Sequence, residues 1–220
     1  MKKNTKIGYK LKKKQKENKA MRLKREFFGF HPKEVAPRLL GKYLISNLKE
    51  GKIIGKIVEV EAYGGEEDLA CHVGRFGRTK RTETLFGKVG LAYVYPVYIN
   101  TYCLNVVCHE RGKAGGILIR ALEPISGIDL ILKNLNKSKE NFDIKKLLNG
   151  PGKICKALKI DKTLNGEDMI LGNRLYFEEG EKIKENEILA TPRINIPYAG
   201  PAKKWPWRFI IKNSDYLSKK

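Results

Sequence analysis

The sequence predicts an α+β fold: one mixed domain whose curved, largely antiparallel sheet carries a protruding β-hairpin and peripheral helices. Three observations predict it. The chain has 220 residues, 41% of them apolar, which suits a single core. Alternating apolar segments follow one another through short turns, as hairpin strands do. Helical spacing is confined to three short stretches.

Residues 1–25 read differently from the rest. They hold twelve Lys and Arg against one acid, Glu17, a net charge of +11. With few apolar residues and no helical period, they read as a basic arm, disordered until it meets a polyanion. A solubilising tail or a compositional bias towards Lys is the bland alternative. The domain proper is expected over 26–220, with the other +10 of the total of +21.

Within the domain, Pro32 suits a helix first turn, and Val35, Ala36, Leu39 and Leu40 follow it at helical spacing up to Gly41. Tyr43–Ser46 reads as a short strand and Ile53–Tyr63 as a long alternating one. Residues 64–90 lack periodicity and form a long loop, a feature that usually carries function in a compact domain. Ala92–Tyr98 and Tyr102–Cys108 form a hairpin, and Gly115–Leu122 is a further strand. Pro96 argues that its strand is an edge or is bulged. Ile128, Ile131, Leu132 and Leu135 mark a second helix, and Pro151 opens a third through Leu158. Residues 136–146 are polar surface, and Arg174–Ile211 reads as short strands and turns.

Composition excludes several classes of function. No secretory signal is expected, and the most apolar stretch, Leu91–Cys108, is interrupted by Pro96, Asn100, Thr101 and Asn105, so no membrane span is expected. The four cysteines form no CxxC, and neither Cys71-His72 nor Cys108-His109 suits a zinc site. Free thiols in a reducing cytoplasm are expected, with no metal and no cofactor. The positive charge calls for an anionic partner, nucleic acid first.

The chemistry concentrates in two segments. Along Lys56–Tyr63, alternation puts Val58, Val60 and Ala62 on a core face and Glu59, Glu61 and Tyr63 on the other. That strand runs into a loop holding Asp68, His72, Arg75, Arg78, Lys80 and Arg81. A carboxylate beside a basic loop suits a general base acting on a phosphodiester-bearing substrate. Next, four tyrosines (Tyr93, Tyr95, Tyr98, Tyr102) fall within ten residues. Such a strand is most often core, but aromatic faces beside cations also suit an unstacked base, and a hairpin-tip Tyr98 suits a wedge.

Together these residues resemble the alkyladenine (3-methylpurine) DNA glycosylase family. The likeness rests on Glu61-Ala62-Tyr63, His72, Gly77-Arg78-Thr79, Tyr93-Val94-Tyr95, Tyr98, Asn105 and Arg120-Ala121-Leu122-Glu123-Pro124. It continues through Gly150-Pro151-Gly152-Lys153, Thr191-Pro192-Arg193-Ile194, Tyr198-Ala199-Gly200 and Pro206-Trp207-Arg208-Phe209, covering roughly 26–218.

The resemblance implies a metal-free DNA repair enzyme, a monomer acting on double-stranded DNA. It would flip an alkylated or deaminated purine from the duplex and hydrolyse its N-glycosidic bond with water. Glu61 would activate the water and Arg120 help hold it. Tyr63, His72 and Tyr95 would enclose the base, and Asn105 would reject the 2-amino group of guanine. Tyr98 would wedge the duplex, with Arg78, Arg81, Lys153 and Arg193 facing DNA. The sequence departs from the family's pattern at Tyr98-Ile99-Asn100-Thr101, where a Gly usually follows the tyrosine; Asn tolerates positive φ and Ile does not, which shifts the turn by one. A non-catalytic RNA- or DNA-binding domain on the same scaffold is the alternative, and a lysine-dependent lyase a third.

Overall fold

The computed structural model describes residues 21–219. Most of the basic arm expected over 1–25 therefore lies outside the described residues. Its last part lies against the body. Arg22 bridges Glu178, Leu23 is buried, and Arg25 pairs with Asp168 at 2.6 Å.

Eight strands form one open sheet in which every pairing is antiparallel: β1 (Tyr43–Leu48), β2 (Gly51–Tyr63), β3 (Ala92–Tyr98), β4 (Thr101–Val107), β5 (Gly116–Ser126), β6 (Leu175–Glu178), β7 (Ile188–Thr191) and β8 (Arg208–Ile211). The order is β3-β4-β5-β2-β1-β6, with β8 pairing the far half of β2 and β7 pairing β8. Among the described residues, four short α-helices accompany the sheet: α1 (Pro32–Leu39), α2 (His72–Phe76), α3 (Ile128–Leu135) and α4 (Pro151–Ala157). Helix α2 lies within the loop expected over 64–90. Gly41, at φ +80, stops the chain after α1, where a side chain would strike the Glu181 carbonyl.

One face of the sheet carries the main core. Val35, Ala36 and Leu39 of α1, Ile131 and Leu132 of α3, and Ile154 and Ala157 of α4 pack there on Val94, Leu104, Val106, Ile117 and Ile119. Strand β2 contributes to that face in two phases. Ile53 and Ile57 belong to it, and then Val60 and Ala62 do. The change of phase comes from a bulge between Ile57 and Glu59, matched on β5 by an irregularity that leaves Arg120 as the extra residue. Val58 therefore does not share the face of Val60 and Ala62, as plain alternation predicted. Without the bulge, the phase of Ile53 and Ile57 would drive Glu59 and Glu61 into the apolar core. With it, both carboxylates turn to the opposite face.

Strand β3 is an edge strand, as Pro96 requires, and its register slips between Pro96 and Tyr98. Tyr98 pairs with Thr101 across a two-residue turn in which Asn100 takes positive φ, 56°, supplying the left-handed position without a glycine.

Candidate active site

The face opposite the main core gathers the polar and aromatic residues. Cross-strand partners run Tyr93–Asn105–Leu118–Glu61–Arg208 in one row across β3, β4, β5, β2 and β8. Tyr95 faces Cys103, and Tyr63 faces Gly116. The loop after β2 closes over this face with α2.

That loop is organised by a buried ion pair. The Asp68 carboxylate accepts the backbone N–H of Gly64 and of Ala70, each at 3.0 Å, and pairs with the Arg193 guanidinium. Arg193 also donates to the carbonyls of Ala62 and Ala202 and lies over the Tyr63 and Trp207 rings. Arg193 is therefore buried inside the domain, and the expectation that it faces DNA is corrected: its charge is consumed by Asp68. Gly74 packs so closely on this loop that a Cβ would lie 2.3 Å from the Asp68 carbonyl.

A pocket with a cavity volume of about 40 Å³ is lined by Tyr63, His72, Tyr93, Tyr95, Asn105 and Tyr198, among others. The structure thus brings together all four residues expected around a base: Tyr63, His72, Tyr95 and Asn105. The rings of His72 and Tyr95 meet edge-on at 4.6 Å, and those of Tyr93 and Tyr95 lie 5.3 Å apart. Tyr93 hydroxyl and His72 Nδ1 are 2.8 Å apart. Arg81 lies over the Tyr95 ring. Burial, helped by Arg81 and Arg75, pulls the His72 ring down to about 4, so it is neutral near pH 7. Asn105 is buried and donates to the Tyr93 carbonyl at 3.4 Å.

Behind the pocket lies Glu61, 0% exposed. Its Oε1 accepts the Ile194 N–H at 2.7 Å. Its Oε2 accepts the Tyr63 hydroxyl at 2.8 Å and Arg120 Nη1 at 3.2 Å. Burial and then the Glu61 charge push the Tyr63 phenol well above its usual range, so its proton stays in place as a donor. Burial opposes the charge of Arg120, and Glu61 and Glu59 outweigh it and raise the guanidinium above its ordinary value. Arg120, Ile194 and Asn195 line a wider groove that runs past Tyr95, Val97 and Tyr98 to Pro151 and Gly152.

The remaining candidates are exposed. Tyr98 is 76% and Ile99 93% exposed at the hairpin tip. Arg81 is exposed at the pocket mouth. Lys153 is exposed on α4 and donates to Asn149 at 2.7 Å; burial and the nearby Lys137 and Lys146 lower its pKa. Arg78 is exposed, paired with Glu83 through two hydrogen bonds of 2.9 and 2.6 Å. Tyr198 and the backbone of Ile194 belong to the site and are not singled out as site residues by sequence, although both lie in the C-terminal motifs. The histidine, cysteine and carboxylate residues form no group suited to a metal among the described residues. No helix among the described residues is long and apolar enough to cross a membrane.

The model of the methylpurine-DNA glycosylase family matches residues 26–215. Three similar proteins carry the provisional name 3-methyladenine DNA glycosylase. The one from Desulfitobacterium hafniense (strain Y51) is 44% identical over 207 residues, which cover 90% of this chain and 99% of the relative. That from Clostridium perfringens (strain 13) is 43% identical over 205 residues, 91% of this chain and all of the relative. That from Clostridium botulinum (strain Langeland) is 42% identical over 204 residues, with the same coverage.

Proposed function

Since the chain belongs to the methylpurine-DNA glycosylase family, we propose that its pocket receives a damaged purine turned out of duplex DNA and that Glu61 activates the water that releases it. The protein is a DNA repair enzyme of the 3-methyladenine DNA glycosylase kind, a hydrolase of N-glycosyl bonds. The substrates we assign to it are 3-methyladenine, 7-methylguanine, hypoxanthine and ethenoadenine. The observation that carries the reading is the Glu61 carboxylate held between Tyr63 and Arg120 at the back of an aromatic pocket.

An ionised carboxylate accepts at about four positions, and three on Glu61 are taken by protein donors. The fourth, on Oε1, is left for a water. As the glycosidic bond breaks, its electron pair leaves with the base. Water oxygen bonds the sugar carbon, and Glu61 takes the water proton. The same negative charge stabilises the positive charge growing on the sugar. An alkylated purine that is already cationic leaves as a neutral base and stacks well on tyrosine faces. A neutral His72 adds no repulsion to such a base. Tyr98, at the tip of β3–β4, would fill the gap in the stack, and we assign the exposed Arg78, Arg81 and Lys153 to the phosphates.

The test is base release from duplexes carrying one defined lesion each, in chelator and without metal. Release of free base with an abasic strand left uncut supports the proposal. Binding to the same duplexes without release would favour the non-catalytic nucleic-acid-binding domain, and trapping on a lysine by borohydride would favour a lyase.

A further inference from the structure

The buried end of the site holds a second carboxylate that the proposed reaction does not use. Glu59 lies two residues before Glu61 on the same face of β2 and is 0% exposed. Its Oε1 accepts from Arg120 Nε at 3.1 Å, Arg208 Nε at 2.8 Å and Ser218 Oγ at 2.7 Å. Its Oε2 accepts the Ser218 backbone N–H at 2.6 Å. Ser218 Oγ in turn accepts from Arg120 Nη2 at 3.4 Å, and Arg208 reaches the Lys219 carbonyl and Thr191 Oγ1. Two carboxylates and two guanidiniums thus balance in a buried cluster closed by the C-terminal residues, beyond the segment matched by the family model, which ends at 215.

A guanidinium facing a single carboxylate prefers two parallel hydrogen bonds, one to each oxygen. If Arg120 met Glu61 in that way, it would take the position on Oε1 that a water needs. Instead Glu59 engages Arg120 through Nε, and only Nη1 reaches Glu61. We infer that Glu59, braced by Ser218 and Arg208, is a positioning residue for base release: it divides Arg120 between two carboxylates and so keeps one oxygen position of Glu61 open to the nucleophilic water. The inference rests on the reading of Glu61 as the base.

Removing Glu59 alone would leave a surplus buried positive charge, which is costly in itself. The test variant is therefore Glu59→Gln with Arg208→Gln, which keeps the cluster balanced. Single-turnover release from a duplex with one 7-methylguanine is compared with affinity for the same duplex carrying a tetrahydrofuran abasic analogue, and thermal melting is followed in parallel. The expected result is a fall in release on the order of a hundredfold, with affinity unchanged and a cooperative melt. Release at the wild-type rate overturns the inference. Ser218→Ala, which removes one donor from Glu59, is expected to slow release about tenfold at unchanged affinity, while Ser218→Thr keeps the hydroxyl and the rate. Should the double variant not fold, equal rates for Ser218→Ala and wild type overturn the inference. Glu61→Gln run alongside separates the two readings. If it is inactive while the double variant works normally, Glu61 remains the base and Glu59 loses its role; if it is active, both readings fall.

Discussion

His72 makes a specific pH prediction. Its folded value of about 4 lies below the 6.5 of a free imidazole. The unfolded chain therefore binds a proton at this residue between those values while the folded one does not. Stability contributed by the neutral ring is full above pH 6.5 and is lost progressively as the pH falls to 4. Replacing His72 with Gln should flatten the loss of stability over that window, measured by denaturant unfolding; an unchanged slope would mean the ring is not held neutral. Arg193 is a residue on which sequence reasoning and structure part. Its motif marks it for DNA, yet Asp68 holds it inside the domain. Asp68→Asn should cost about 3–5 kcal/mol, because it leaves a buried guanidinium without its counterion. A loss below about 1 kcal/mol would show that the pair does not organise the loop.

At the scale of elements, much is legible in the sequence. The starts and ends of β3 and α1, and the edge position of β3, follow from proline and period-two signals that act locally. The bulge in β2 is not legible, since nothing in Ile57-Val58-Glu59 breaks alternation by itself. It is set by register with β5, where Arg120 is the compensating extra residue. Alternation still assigns the right face to Glu61 and Tyr63, because both lie beyond the bulge and alternate with Val60 and Ala62. The same alternation puts Glu59 and Glu61 on one face, but their division of one arginine needs Arg208 and Ser218, far along the chain. The β3–β4 hairpin yields the element-scale prediction. Tyr98→Ala should weaken capture of lesions opposite stable pairs more than opposite mismatches, since a wedge matters most where the stack resists opening. Equal losses in a binding assay on both duplexes would argue against a wedge.

Across the whole molecule, the charge of +21 divides between a domain with an aromatic pocket and an arm whose first twenty residues lie outside the described structure. Because Leu23 and Arg25 pack on the domain, the deletion that tests the arm is 1–20 rather than 1–25. It should flatten the salt dependence of duplex binding by about 0.9 in log–log slope for each phosphate that the arm neutralises. An unchanged slope would mean the arm does not touch DNA. The family can be read from ordered motifs spread over nearly the whole domain, because the site is assembled from β2, β3, β4, β5, β8 and two loops rather than from one local signature. All of these elements converge on one carboxylate. The most direct measurement is single-turnover release of 7-methylguanine by Glu61→Gln beside affinity for the same duplex. Release reduced to background with lesion binding retained is expected, and wild-type release would contradict the role of Glu61 as the base.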